Sequence, residues 1–152
     1  MTHRPAAELI ALMGSALERA AAQIGDLTRP VLDRVYRRHP EAADAFVRLS
    51  SGTITELEGR MVETTLFCLT KWIEEQAMVE IIIHDSLPHH AMTLGIDPVL
   101  FQSLAEETAD IIIATIPADR GDEREAWVQV RLGLIGAMAK ARASPMLARV
   151  AR

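Results

Sequence analysis

The chain has 152 residues, of which 49% are hydrophobic and 24% charged, the size and composition of one globular domain. At this length folding buries roughly two-thirds of the unfolded surface, so neither disulfides nor a structural metal is needed. The only cysteine, Cys68, cannot form an internal disulfide, and the formal charge of −5 disfavours nucleic-acid binding. Without a secretory signal or an apolar run of ~18 residues, we expect a cytoplasmic protein that does not enter a membrane.

Apolar side chains recur at helical spacing along the first third of the chain and predict two helices. The first is expected to end near Gly25. Asp26 is placed to cap the second helix, and Pro30 falls in its first turn, where a missing N–H costs little. Pro40 breaks the helical hydrogen bonding and is expected to open a short third segment that ends near Phe46.

A strongly apolar stretch over about 53–83 predicts one long helix. Its end, 81–83, consists of three isoleucines and could be a buried strand by composition, but no partner strand is available. We therefore interpret these residues as the start of a short, irregular helix. Pro88 and Gly95 are expected to bound a short segment that contains two histidines.

The last third of the chain predicts two further helices. Asp97 and Pro98 form an N-cap and a first helical residue, so the first of these helices is expected over about 98–116. The second is expected over about 123–143, after a polar connection. With no repeat or linker in between, the sequence predicts one all-α domain.

Most enzyme classes find no support in the sequence. There is no Gly-x-Ser-x-Gly turn for a serine nucleophile and no glycine-rich loop to hold phosphates. Cys68 lies within an apolar helical stripe and is interpreted as a packing residue. The neighbouring glutamate pairs 74–75 and 106–107 point to different parts of a helix surface, so neither pair faces one reacting centre.

Three histidines, His84, His89 and His90, lie within seven residues and are the most informative chemical feature. Taken alone they leave several interpretations open. A zinc site would need more ligands and a familiar spacing. A surface pair, or a pH-responsive surface, needs no further partner. One histidine that faces an apolar cavity would suit axial ligation of haem iron.

Two longer motifs surround this cluster. The segment 90–101, HAMTLGIDPVLF, resembles the globin motif that runs from the proximal histidine through a leucine and a branched residue into Asp-Pro-x-x-Phe. The segment 35–46, VYRRHPEAADAF, resembles the globin element in which a helix ends in His-Pro-Glu and a phenylalanine follows. Farther on, 125–135 resembles the start of the last helix in bacterial haemoglobins.

The resemblance covers nearly the whole chain and implies a single globin domain over 1–152, with about six to eight helices around a pocket for haem b. It makes His90 the proximal iron ligand and Phe46 the aromatic that packs on the haem face. Leu94, Ile96 and Phe101 would form the apolar wall beneath the ring. Leu32 falls where many bacterial members place a tyrosine that donates a hydrogen bond to bound oxygen.

The distal helix has no fixed landmark, and the resemblance allows two registers. One places Leu57 at the gate over the iron with Met61 a turn later, and the other places Met61 and Thr65 there. In both registers the gate residue is apolar. The chain therefore lacks the histidine or glutamine with which other members stabilise bound oxygen.

The function implied by the resemblance is reversible binding of a diatomic gas: oxygen, carbon monoxide or nitric oxide. Nitric-oxide dioxygenation would require an external reductase, because the chain has no flavin or nicotinamide domain, so enzymatic turnover stays undecided. Whether the chain forms a homodimer is also open. The alternative is a haem-free globin-fold module for sensing or protein interaction, which the apolar distal side and the missing tyrosine would allow.

Overall fold

The computed structural model describes residues 3–144, and within them the chain forms seven α-helices and no β-strand. The helices are α1 (Ala6–Ile24), α2 (Thr28–Arg38), α3 (Glu41–Leu49), α4 (Ile54–Lys71), α5 (Gln76–Thr93), α6 (Val99–Ala114) and α7 (Gly121–Arg142). The all-α prediction is therefore confirmed for this part of the chain. None of its helices is long and apolar enough to cross a membrane. The first two and last eight positions of the predicted domain lie outside the described residues.

The ends of the first three helices follow local sequence signals. α1 stops before Gly25, whose φ of 79° suits a residue without a Cβ. The Asp26 carboxylate accepts a 2.8 Å hydrogen bond from the Thr28 backbone N–H, although the formal N-cap of α2 is the next residue along. α2 ends before His39 and Pro40. α3 continues past Phe46 for almost one turn, so its predicted end was too early.

The prediction of one helix over 53–83 was wrong. α4 ends at Lys71 and α5 begins at Gln76, with a tight corner between them. Trp72 is buried in this corner and packs against Gly133 of α7. A buried aromatic ring thus packs at the link between α4 and α5, where the sequence has neither glycine nor proline.

Pro88 lies inside α5, so the prediction that it bounds a separate short segment was also wrong. The residues of 81–83 belong to the same regular helix. Proline removes one backbone hydrogen bond, yet the helix continues because Val79, Ile83 and Leu87 form a buried stripe. α5 ends at Thr93, two residues before Gly95, whose φ is 66°. His89 and His90 consequently lie on the last turns of a helix and not on a loop.

α6 is the central helix, since it packs against α1, α2, α4 and α7. It begins as predicted near the Asp97-Pro98 pair, where the Asp97 carboxylate accepts a 3.0 Å hydrogen bond from the Val99 N–H. The N-cap position itself is occupied by Pro98. Most of the α6 surface is buried, which places its apolar side chains in the core and along one wall of a cavity described below.

α1 and α7 are joined by polar contacts within the core. Glu123 is only 1% exposed, and its carboxylate accepts hydrogen bonds of 2.6 and 3.1 Å from the Arg19 guanidinium. The fully buried Trp127 donates a hydrogen bond from its indole N–H to the Met13 carbonyl at 3.3 Å. Because buried charges are costly without partners, these contacts fix α1 against α7.

Candidate functional site

An apolar cavity of about 140 Å³ lies among α3, α4, the end of α5 and the start of α6. Segments far apart in sequence meet there. Of the residues predicted as site residues, those that line the cavity are Phe46, Leu57, Met61, His90, Leu94, Ile96 and Phe101. Among the described lining residues, His90 is the only one with a polar side chain.

His90 is held in one orientation by its own helix. Its ring Nδ1 lies 2.6 Å from the Ser86 carbonyl oxygen, and because a carbonyl can only accept, Nδ1 carries the proton. In the neutral imidazole, the lone pair is then on the other ring nitrogen, Nε2. It has no hydrogen-bond partner within residues 3–144. A hydrogen bond from Nδ1 to a backbone carbonyl is a common way to prepare Nε2 as a metal ligand.

An aromatic side chain supports the His90 ring. Phe101, near the start of α6, packs against it edge-on with ring centroids 4.7 Å apart and an interplanar angle of 60°. This contact joins the end of α5 to α6 across the intervening corner. The imidazole is therefore restrained both by a hydrogen bond and by packing.

The other histidines of the chain serve different surroundings. His84 and His89 are exposed on α5. The ring centroids of His89 and His90 are 5.5 Å apart, but His89 does not line the cavity. The His39 ring Nε2 lies 2.7 Å from the Ser103 hydroxyl. Within the described residues, no three or more His, Cys, Asp or Glu side chains are grouped to hold a metal ion. His90 thus stands apart as a single potential ligand beside an apolar space.

The structure places Leu57 and Met61, one helical turn apart on α4, at the cavity, which corresponds to the first of the two distal registers. Thr65 lies one turn further along and does not line it. Its hydroxyl donates to the Met61 carbonyl at 2.8 Å. Leu32 is fully buried in the core and does not line the cavity either. These last two predicted site residues are therefore not brought together with the others.

Four lining residues were missed by sequence reasoning: Ala45, Leu49, Leu100 and Leu104. Helical spacing carried a signal for two of them, because Leu100 and Leu104 are four residues apart and flank Phe101 on α6. Leu49 lies on α3 three residues after Phe46 and shares its face. Ala45 had no distinguishing signal.

Outside the cavity lies a shallower hollow with charged walls. It shares Ala45, Ile96 and Leu100 with the cavity. Its charged residues are Glu41, Asp44, Arg48 and Asp97. Three carboxylates against one guanidinium make this side unfavourable for the anionic groups of a ligand.

The donor chemistry of the cavity fits haem. One imidazole with a free Nε2 and apolar walls are what axial ligation and burial of an apolar macrocycle require. Two features are less favourable. Ligand pockets span roughly 300–1,000 Å³, whereas this cavity measures about 140 Å³, and the adjoining hollow is acidic, whereas haem itself carries two carboxylates. Haem therefore fits only if walls move outward. Leu57, Met61 and Leu94 are among the half-buried side chains of these walls.

Comparison of the chain with protein-family models, with curated proteins and with solved structures found no match. The chemistry of the cavity and the motifs in the sequence are thus the observations from which a function can be argued.

Proposed function

We propose that the chain is a globin-type haem protein that binds haem b in the apolar cavity, with His90 Nε2 as the iron ligand, and takes up a diatomic gas in the cytoplasm. The observation that carries this proposal is the state of His90. Its Nδ1–H donates to the Ser86 carbonyl, while Nε2 has no partner among the described residues and lies beside an apolar space.

Haem iron, when bound, would supply reversible binding of oxygen, carbon monoxide or nitric oxide. The side chains of the cavity have separate tasks around it. Phe101 keeps the His90 ring in place, and the apolar walls of Phe46 and Leu104 exclude water. Leu57 and Met61 line the cavity from α4, and their side chains offer no N–H or O–H donor. We therefore expect carbon monoxide to be held well relative to oxygen.

Turnover of nitric oxide would need electrons from a separate reductase, and the proposal is limited to gas binding. A second candidate is a haem-free module for sensing or protein interaction that keeps the same helical arrangement. The cavity volume of about 140 Å³ favours this candidate, because it is smaller than typical ligand pockets. In that case the His90 side chain is dispensable for folding.

The two candidates are separated by titrating the purified haem-free chain with haemin. Soret absorbance and quenching of tryptophan fluorescence report binding. His90→Ala is the test variant, and His89→Ala is its matched control, because His89 is the adjacent residue, is exposed and does not line the cavity. We expect saturation at one haem per chain for the wild type and His89→Ala, and weak, unsaturated binding for His90→Ala.

Two results would contradict the proposal. Equal haem affinity for the two histidine variants would show that His90 is not the ligand. A folded, helical wild-type chain that gives no saturable Soret band would favour the haem-free module. Circular dichroism of every variant ensures that a loss of binding is not a loss of fold.

A further inference from the structure

A polar cluster centred on one buried carboxylate joins α2 to α4 beside the cavity. Glu58 of α4 is only 3% exposed, and its Oε2 accepts hydrogen bonds from the Tyr36 hydroxyl at 2.7 Å and from an Arg29 guanidinium N–H at 3.2 Å. Arg29 also contacts Asp33 on its own helix at 3.1 Å. Tyr36, Glu58 and Arg29 are called the α2–α4 cluster below.

The α2–α4 cluster is next to two walls of the cavity. Glu58 directly follows Leu57 on α4 and precedes Met61 by three residues, so its hydrogen bonds to α2 restrain the helical segment that carries both of these lining residues. The Tyr36 ring packs edge-on against Phe46, with centroids 6.0 Å apart and an interplanar angle of 75°. Phe46 lines the cavity from α3. The cluster therefore has one member on the α4 segment that carries Leu57 and Met61, and another whose ring packs against Phe46.

The α2–α4 cluster is built to stay in place. Burial, together with the neighbouring Glu58 carboxylate, raises the pKa of Tyr36, so its hydroxyl remains a donor. A carboxylate as buried as Glu58 is stable only while its donors are in position. Movement of α4 away from α2 would leave this carboxylate short of donors, and that cost opposes opening of the cavity.

We propose that Glu58, held by Tyr36 and Arg29, is a positioning residue that sets how readily Leu57 and Met61 move aside to admit a ligand to the cavity. The inference concerns the cavity of the proposed function and rests on that function for the identity of the natural ligand. A macrocycle would require the cavity to widen, because its volume in this structure is about 140 Å³.

Xenon tests the inference without haem, because dry apolar cavities of comparable size bind it. The measurement is the exchange rate of xenon with the purified full chain by xenon NMR. Tyr36→Phe removes only the hydroxyl and keeps the ring against Phe46, and Glu58→Gln removes the charge but keeps an acceptor. The matched control is Glu123→Gln, which alters another buried, arginine-held carboxylate away from the cavity.

Tyr36→Phe is expected to raise the xenon exchange rate roughly fivefold or more, as loss of one hydrogen bond that holds the closed form implies. Glu58→Gln is expected to give a smaller increase, because the amide oxygen can still accept from Tyr36. Glu123→Gln should leave the exchange rate unchanged even where it lowers stability. In haem-loaded protein, the association rate of carbon monoxide should follow the same order.

Three results would overturn the inference: an unchanged exchange rate in folded Tyr36→Phe, an equal increase in all three variants, or no xenon binding to the wild type. None of them depends on haem. If haemin fails to bind while xenon exchange follows the expected order, the proposed function is wrong and the role of Glu58 stands.

Discussion

Gly133 and Gly136 lie one turn apart in α7 and give a sharp test of the packing that orients the site. An ideal Cβ on Gly133 would lie 2.3 Å from Trp72 Nε1 and 2.8 Å from its Cε2. Carbon atoms do not approach that closely, so the tryptophan ring or α7 must shift. A Cβ on Gly136 would meet no atom within 4 Å. The two glycines therefore differ in the space available for a Cβ, although both lie within the same helix.

The magnitude follows from comparing the two alanine variants. Replacing glycine by alanine inside a helix contributes about 0.5–1 kcal/mol of stability, which Gly136→Ala should show in full. Gly133→Ala has the same gain but adds an overpacking cost of about 1–3 kcal/mol. The difference between the variants is then the overpacking cost itself. For a chain of this length it corresponds to roughly 2–12 °C in Tm.

Urea denaturation followed by circular dichroism gives the free energies of unfolding. Tryptophan fluorescence of the native variants reports whether the surroundings of Trp72 change. Because Trp72 is buried in the corner that leads into α5, its displacement should also weaken haem binding at His90. Equal free energies of unfolding for Gly133→Ala and Gly136→Ala would refute the reasoning, since they would mean that Trp72 does not pack tightly against α7.

Three further predictions follow from the site and the core. Leu57→Gln places a donor at the cavity and should slow oxygen dissociation from the reduced haem protein roughly 10- to 150-fold, the effect of about 1.5–3 kcal/mol. Stopped-flow measurements compare it with Leu57→Met, which adds no donor. Equal dissociation rates in the two variants would place Leu57 away from the ligand. Burial opposes ionisation of Glu106, but hydrogen bonds from Gln102 and Arg38 outweigh it and lower its pKa. Glu106→Gln should therefore lower the free energy of unfolding at pH values above the usual glutamate pKa of 4.5, and this loss should vanish as the pH falls through the lower native pKa. A pH-independent loss in urea denaturation would contradict this. Burial raises the pKa of the Cys68 thiol, so alkylation by iodoacetamide should be slow in native protein and fast in urea; rapid native labelling would show that Cys68 is exposed.

Local sequence signals predicted the helix ends that depend on one or two residues. Gly25 and the His39-Pro40 pair act through the backbone conformation of those residues themselves, so their effect is visible without knowing the fold. The corner between α4 and α5 depends on Trp72 meeting Gly133, which are distant in sequence. Pro88 led to the opposite error, because it predicts a boundary where the helix in fact continues. Packing of the buried α5 stripe outweighs the loss of one hydrogen bond there.

The candidate site was predicted where it depends on motif positions and missed where it depends on how helices rotate. His90, Phe46 and Phe101 belong to motifs whose spacing is visible in the sequence, and the structure brings them to one cavity. Leu32 was placed by its position alone, and the rotation of α2 directs it into the core. The α2–α4 cluster had no sequence signal, because Tyr36 and Glu58 meet only when two helices pack.

The absorption spectrum of the haem-loaded chain, reduced and then exposed to carbon monoxide, tests the central claim most directly. The account predicts a sharp Soret band that shifts on addition of carbon monoxide, at about one haem per chain as the single His90 ligand implies. The shift should be present in His89→Ala and absent in His90→Ala. A spectrum that carbon monoxide does not change, or one that changes equally in both variants, would contradict gas binding at an iron held by His90.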